Sequence, residues 1–479
     1  MTDHESYIKE NRKCAITMAI EMLAEYPALL KCQENFYEYN GKCYDMINNQ
    51  RIIEMYYEFV VKYGILSVWN KRNDVLAAIL SSNAVPRVDK MNYHDGFICL
   101  NNGIINIETR ELLPHAQTYY FDSLVNVDYN ASLIDCPAFN GYLSNTFNGD
   151  QETIDNVIML GGYLLDYSCK ANKMFIFQGN GGNGKSILID TFSLFFSTSV
   201  IRPQVTSISL SDLSGDKFKK YDLITSRFNQ CAEEKKGFLD AEEIKKIVSG
   251  ELINVAGKFK DTITFRPKTK LIVACNESFK FTDNSDGIMR RLVIINFENQ
   301  YKDPEEIKRI KYAEEKHIYA WDLDLPGKID SEKSAILNLF LDGLVLLKQR
   351  KYQFIMGVHY NKALTDFRRD SDTTREFLEE NYEIDLKGEM PIKTVYEHYR
   401  LWYRDNVQDS GSMKFRANEM GRRIKEVFGL DSNGQKKLFN TQTQQYERLS
   451  VYPISRKYVI PPEEINPEFN IEEATFQAD

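Results

Sequence analysis

Residues 174–196 read MFIFQGNGGNGKSILIDTFSLFF, and the order of their three parts decides the fold. MFIF (174–177) is a short, wholly apolar run, as a strand buried on both faces requires. GNGGNGKS (179–186) fits the pattern G-x-x-x-x-G-K-[ST] in full. SILIDTFSLFF (186–196) then reads as a helix. A strand, a glycine-rich turn and a helix in that order form a phosphate loop. The glycines let successive backbone N–H groups turn inward around phosphate oxygens. The helix that follows aims its positive end at the same anion. In this reading Gly179, Gly181, Gly182, Asn183, Gly184, Lys185, Ser186 and Ile187 bind ATP. Lys185 reaches the β- and γ-phosphates, and the Ser186 hydroxyl ligates Mg²⁺. A chance glycine-rich turn would lack the flanking strand and helix. The loop alone indicates a nucleoside triphosphatase or kinase and leaves the work done unnamed.

Downstream, LIVAC (271–275) and LVIINF (292–297) are two more buried-strand candidates. Strands alternating with helices predict an α/β core with a parallel sheet. Hydrolysis needs an acidic residue on a neighbouring strand to hold Mg²⁺ or orient water. Cys231-Ala232-Glu233-Glu234 offers one, although adjacent carboxylates are more often a solvated turn. The preceding SRFNQCAE is unusually polar for a strand, so its register leaves Glu233 and Glu234 both open. Asn276 ends the apolar LIVACN and could hydrogen-bond the attacking water or the γ-phosphate; a turn-starting Asn is the plainer alternative. Arg290-Arg291 precedes LVIINF, and guanidinium suits the charge of a phosphoryl transition state. ELINVAGKFKDTITFRP (251–267) alternates like a hairpin whose tip carries Lys258, Phe259 and Lys260. Lysines there could track a nucleic-acid backbone and the aromatic could stack on a base.

The flanks read more coarsely. Residues 5–32 look helical, FYEYNGKCYDM (36–46) is a hairpin around Asn40-Gly41, and 96–115 are short strands and turns. Residues 139–168 and most of 301–380 are helical; from Met390 short helices precede a polar, turn-rich stretch and an acidic tail. No apolar run approaches the ~20 residues of a membrane span. The N-terminus MTDHESYIKENRK has no apolar signal core. Eight cysteines and six histidines are scattered without close pairs, which predicts reduced thiols, no structural zinc and a cytoplasmic protein.

Taken in order, these motifs resemble the superfamily III helicases, in the branch of phage and plasmid primases and the poxvirus-type primase-helicase. GNGGNGKS resembles that family's Walker A loop, AEEKKGFLD its Walker B region, VSGELINVAGKFKDTITFRPKTKLIVACN its DNA-contacting hairpin and sensor asparagine, and DGIMRRLVIINF its arginine-finger segment. NNGIINIETRELLPH with LGGYLLDYS resembles the domain before the core, and VYEHYRLWYRDN with FRANEMGRRIKEVFGL resembles its C-terminal winged helix.

The resemblance implies an α/β fold with a P-loop AAA+ core with parallel sheet, an N-terminal α+β or helical accessory domain and a C-terminal winged helix. The expected divisions are 1–135 accessory domain, 136–172 helical collar, 173–300 helicase core, 301–385 helical extension, 386–460 winged helix and 461–479 acidic tail. It implies a homo-hexameric, ATP- and Mg²⁺-dependent replicative helicase on single-stranded and forked DNA, in which Lys185, Ser186 and Glu233 of one subunit meet Arg290 or Arg291 of the next. No primase domain is recognisable, which leaves open whether a separate primase or polymerase partners the ring. An origin-binding initiator and a non-helicase DNA motor are the rival classes.

The net charge of −9 is unevenly spread. Residues 1–172 carry −9 and residues 173–385 are neutral, while 386–460 carry +6 and the tail −6. DNA is therefore expected at the motor channel and the basic C-terminal segment.

Overall fold

The apolar runs marked as strands meet in one sheet. The computed structural model describes residues 14–32, 35–92, 94–196, 203–232, 238–239, 241–257, 262–276, 279–281, 286–406, 417–430, 434–440 and 445–457. Its centre is five parallel strands: β1 (Met174–Gln178), β2 (Val205–Thr206), β3 (Phe228–Ala232), β4 (Lys270–Cys275) and β5 (Leu292–Asn296). They lie in the order β5-β1-β4-β3-β2. This is the parallel α/β core expected from the sequence.

Strand side chains alternate between faces, and both faces here are apolar. Phe175, Phe177, Ile272, Val293 and Ile295 pack on one side with helices Gln151–Leu165, Lys185–Ser193 and Lys333–Gln349. Met174, Ile176, Leu271, Val273, Leu292 and Ile294 pack on the other with helices Ala241–Ser249 and Val358–Asp370. Each such buried side chain stabilises the fold by roughly 1.5–3 kcal/mol.

The polar residues of β3 are satisfied rather than misplaced. Asn229 is fully buried; its Nδ2 donates to the Ile208 carbonyl at 2.8 Å and its Oδ1 accepts from the Ile208 N–H at 2.8 Å. The amide thus bonds the segment after β2 where the backbone ladder stops. Arg227, just before β3, donates to the Leu165 carbonyl at 2.8 Å and lies 3.9 Å from the Tyr167 ring centroid. Lys270 donates to the Asp166 carbonyl. Two cations therefore cap the carbonyl end of helix Gln151–Leu165, where the helix dipole is negative. Burial, with Arg227 nearby, pulls the Lys270 ammonium down to about 7.

Helices Gln151–Leu165 and Lys333–Gln349 cross closely. A Cβ on Gly162 would lie 2.4 Å from the Phe340 carbonyl oxygen. Residues 139–165 and 333–360 thus share one core with the sheet. The strands Phe97–Leu100, Gly103–Asn106 and Leu112–Leu113 add Ile98, Leu100 and Ile105 to that core.

Residues 14–88 have their own core under a four-stranded sheet, in which Leu29–Cys32, Asn35–Tyr39 and Tyr44–Ile47 are antiparallel neighbours. Here the helical reading of 5–32 is corrected: the helix is Ala15–Glu25, Leu29–Cys32 is a strand, and residues 5–13 lie outside the described residues. Pro27 disfavours helix at Tyr26, whose ψ is 64°. Leu29 and Leu30 are then buried as strand residues.

Residues 301–380 are mostly helical, as expected, with one interruption: Gln300–Lys302 and Ile318–Ala320 form a parallel ribbon. One further reading changes. The turn-rich C-terminal stretch contains a seven-pair antiparallel ladder, Gly434–Asn440 with Gln445–Tyr452. It joins helices Thr373–Asn381, Ile392–Asn406 and Ala417–Phe428 around a separate core of Phe377, Tyr382, Tyr399, Met420, Ile424 and Tyr452. The acidic tail lies outside the described residues.

Candidate active site at the glycine-rich loop

β1 runs into the loop, and helix Lys185–Ser193 leaves it. Gly181, Gly182 and Gly184 have φ of +82°, +58° and +88°, the left-handed region open to glycine at no steric cost. Gly179 is needed for space: a Cβ there would lie 2.5 Å from the Phe297 carbonyl oxygen. The residues therefore fit a phosphate cradle at a helix N-terminus.

Lys185 is buried and donates to three acceptors: the Gly179 carbonyl at 2.6 Å, Asn183 Oδ1 at 3.0 Å and Asn276 Oδ1 at 3.1 Å. Asn183 is fixed in turn by its Nδ2, which donates to the Phe297 carbonyl at 3.2 Å. Asn276 directly follows β4, whose Cys275 carbonyl accepts the Gly179 N–H at 3.1 Å. The fold thus brings the lysine and the asparagine named from sequence to one point. Ser186 is exposed in the first helical turn. Ile187 turns into the core, so only its backbone can face a ligand.

β3 ends at Ala232, opposite Ala274 and two residues short of the level of Asn276. Glu233 and Glu234 lie outside the described residues. So do Lys258, Phe259 and Lys260, although the strands that carry them, Ile253–Ala256 and Thr262–Phe265, pair antiparallel.

The two arginines differ sharply. Arg291 donates from Nε and Nη2 to Ser249 Oγ at 3.2 and 3.0 Å, and from Nη1 to the Gly287 carbonyl. Burial, and then Arg290, pull its pKa below the usual guanidinium range. Arg290 is exposed, and its guanidinium makes no hydrogen bond or ion pair with the described residues. Both sit at the far end of the sheet from the loop. The Arg291 carbonyl accepts from the first residue of β1, Met174, whereas the loop follows the last. A five-residue strand spans roughly 16 Å.

On the β5 side of the loop a cleft of about 300 Å³ is lined by Gln178, Asn180, Asn296, Asn299, Asp366 and Arg369, among others. Its loop side, Gly179, Asn180 and Asn183, lies in the motif read from the sequence, whereas Gln178, Asn296, Asn299, Asp366 and Arg369 carry no such mark. Sequence reasoning also missed Tyr142, whose hydroxyl donates to the Gly184 carbonyl at 2.8 Å, and Tyr301, whose backbone N–H donates to the Gly182 carbonyl at 2.6 Å. Burial raises the pKa of both hydroxyls, so both stay protonated. Tyr142 shares an apolar helix face with Phe139 and Leu143 and carries no local signal of contact with Gly184, 42 residues on.

Two family models match parts of the chain: one described as D5 N terminal like, over residues 69–148, and one described as a family of unknown function (DUF5906), over residues 177–291. The second match covers the whole glycine-rich loop and strands β2 to β4, and ends just before β5. Among curated proteins, the chain is 22% identical over 379 residues to "Putative helicase L207/L206" of Acanthamoeba polyphaga mimivirus, spanning 76% of this chain and 38% of that protein. It is 24% identical over 371 residues to "Putative helicase 121R" of Invertebrate iridescent virus 3, spanning 68% of this chain and 36% of that protein. The chain therefore corresponds to under two-fifths of the length of either relative. A solved structure of the NrS-1 C-terminal region aligns with 92% of this chain and all of its own, at 12% identity and a TM-score of 0.48. No helix among the described residues is long and apolar enough to cross a membrane. The chain is thus a mixed α/β protein with a parallel-sheet core and a glycine-rich loop, similar in sequence to viral proteins named as helicases.

Proposed function

We propose that this chain is the motor of an ATP-dependent, ring-forming DNA helicase of the superfamily III type, serving replication of a virus or mobile element. The observation that carries the reading is the meeting of Lys185 and Asn276 beside the cradle of Gly179–Ser186. A lysine on the loop and a polar amide on the adjacent strand end are what phosphoryl transfer to water requires.

In this mechanism the inward N–H groups of the loop bind the phosphates. Lys185 exchanges its contacts with Gly179 and Asn183 for phosphate oxygens. Asn276, released from Lys185, orients the attacking water or the γ-phosphate. Ser186 and Glu233 would hold Mg²⁺, which when bound draws charge off the β- and γ-phosphate oxygens. The γ-phosphate end lies toward Asn276, so the nucleoside extends the opposite way, into the cleft on the β5 side.

The arginine positions support action between subunits. Arg290 is exposed and about a strand's length from its own loop, so it serves a neighbour's nucleotide. Arg291, bonded to Ser249 and Gly287, holds the turn that presents it. A homo-hexamer places six such sites between subunits, with the hairpins bearing Lys258, Phe259 and Lys260 on the DNA in the channel. The basic C-terminal segment, read as a winged helix, adds phosphate contacts.

The test is ATPase and strand separation on a forked substrate, with native mass measurement beside them. Wild type is expected to hydrolyse ATP faster with single-stranded DNA and to unwind the fork. Lys185→Ala is expected to fold and do neither. Full activity in Lys185→Ala would sink the assignment. DNA-stimulated hydrolysis without unwinding would identify a different DNA motor.

A further inference from the structure

The phosphate loop is held from outside by two elements that belong to neither its strand nor its helix. The first is helix Pro137–Thr146, which supplies Tyr142; the second is the strand Gln300–Lys302, which supplies Tyr301. Tyr142 Oη donates to the Gly184 carbonyl at 2.8 Å, and the Tyr301 N–H donates to the Gly182 carbonyl at 2.6 Å. In a trans peptide the carbonyl and the next N–H point in opposite directions. Drawing the Gly182 and Gly184 carbonyls outward therefore aims the N–H groups of Asn183 and Lys185 inward, where an anion would sit.

The two outer elements are also tied to each other. Thr146 Oγ1 and Tyr301 Oη are 2.9 Å apart. Asn299 is fully buried, and its Nδ2 donates to the Asn145 carbonyl at 2.5 Å and to Asn148 Oδ1 at 2.9 Å. The Phe147 and Phe297 rings meet edge to face. Gly184 is closely flanked: a Cβ there would lie 3.2 Å from the Tyr142 ring and 3.5 Å from that of Tyr301. The brace is thus a packed unit that bears on the loop.

We propose that Tyr142 and Tyr301 are positioning residues that preorganise the phosphate loop, so that docking of helix Pro137–Thr146 and the 300–302 strand sets its affinity for polyphosphate. This rests on the nucleotide-binding reading above. It goes further by placing the control of that affinity in segments before and after the sheet.

The experiment compares Tyr142→Phe with Tyr360→Phe, alongside wild type and Lys185→Ala. Tyr360 is an apt control, being a buried tyrosine whose hydroxyl donates to the Leu292 carbonyl at 2.9 Å, away from the loop. Binding of ATP and of inorganic tripolyphosphate is measured, with KM and kcat for hydrolysis. Tyr142→Phe keeps the ring and loses one hydrogen bond, so affinity for both probes is expected to fall about 2- to 10-fold. KM should rise by a similar factor with kcat held within about 2-fold, and Tyr360→Phe should leave both affinities unchanged. Wild-type affinity and KM in Tyr142→Phe, with binding lost in Lys185→Ala, overturn the brace and leave the nucleotide reading standing. Equal losses in both tyrosine variants reduce the contact to general stability and also overturn it. A wild-type chain that binds neither probe overturns the nucleotide reading, and the brace with it.

Discussion

Lys185 and Asn276 lie 91 positions apart in the chain and meet at 3.1 Å, the ammonium donating to the amide oxygen. β1 and β4 are neighbours in the sheet, so the residues at their carboxyl ends are adjacent whatever the length of chain between them. The pairing divides the labour between the two side chains. Lys185→Ala should abolish ATP binding and hydrolysis together. Asn276→Ala should leave ATP affinity within a few-fold and lower kcat by about 10²-fold, the usual cost of losing one preorganised donor at a reacting centre. Steady-state kinetics with an ATP-binding isotherm would check this. A large loss of affinity with unchanged kcat in Asn276→Ala would remove the asparagine from the chemistry.

The two arginines should separate by stability and by complementation. Arg291→Ala loses the bonds to Ser249 and Gly287 and should cost about 1–2 kcal/mol, read as a lower Tm. Arg290→Ala should stay within about 0.5 kcal/mol of wild type. Both Arg290→Ala and Lys185→Ala should be inactive alone. Mixed under conditions of subunit exchange, they should regain part of the ATPase, since some interfaces then carry both an intact loop and an intact finger. No recovery in an exchanging mixture would count against action between subunits.

How far the site was legible in the sequence follows from where its contacts come from. The loop's glycines, Lys185 and Asn276 act through local geometry at strand ends, so motif and spacing expose them. Arg290 and Arg291 were visible as a pair, but only packing against Ser249 distinguishes them. Tyr142, Tyr301 and the cleft arise where segments far apart in the chain converge, and no local pattern marks such a convergence. The polar β3 shows the converse. Asn229 and Arg227 made the strand look doubtful because their partners, Ile208 and Leu165, lie on other elements. The strand at 29–32 was missed because four apolar-rich residues after a helix carry no period of their own.

The strands Ile253–Ala256 and Thr262–Phe265 pair antiparallel on either side of the segment bearing Lys258, Phe259 and Lys260, which itself lies outside the described residues. If that segment tracks DNA, Lys258→Ala with Lys260→Ala removes two phosphate contacts. Single-stranded DNA affinity should fall, and the slope of log affinity against log salt should flatten by about 1.4, at roughly 0.7 per contact. ATP affinity without DNA should not change. A titration across salt concentrations measures the slope, and an unaltered slope would take the hairpin out of the DNA path.

The C-terminal unit carries its own pH dependence. His398 Nδ1 lies 3.0 Å from the Tyr382 hydroxyl, with the Phe377 ring edge-to-face against the imidazole. Burial, with Arg456 nearby, lowers its pKa from 6.5 to about 4. The unfolded chain therefore takes up a proton between about pH 6.5 and 4 that the folded unit refuses. Stability is at its full value above pH 6.5 and declines as the pH falls through that window. The ring is partly solvated, so the loss should be about 2 kcal/mol rather than the full value of the shift. In His398→Gln the decline should largely vanish, at the cost of a small, pH-independent loss from repacking. Denaturant unfolding followed by tryptophan fluorescence in a Trp69→Phe, Trp321→Phe background reports this unit, because the remaining Trp402 packs in its core against Phe377 and Tyr399. A wild-type midpoint that stays level from pH 7 to 4, or an equal decline in His398→Gln, would show that the imidazole is not the group responsible.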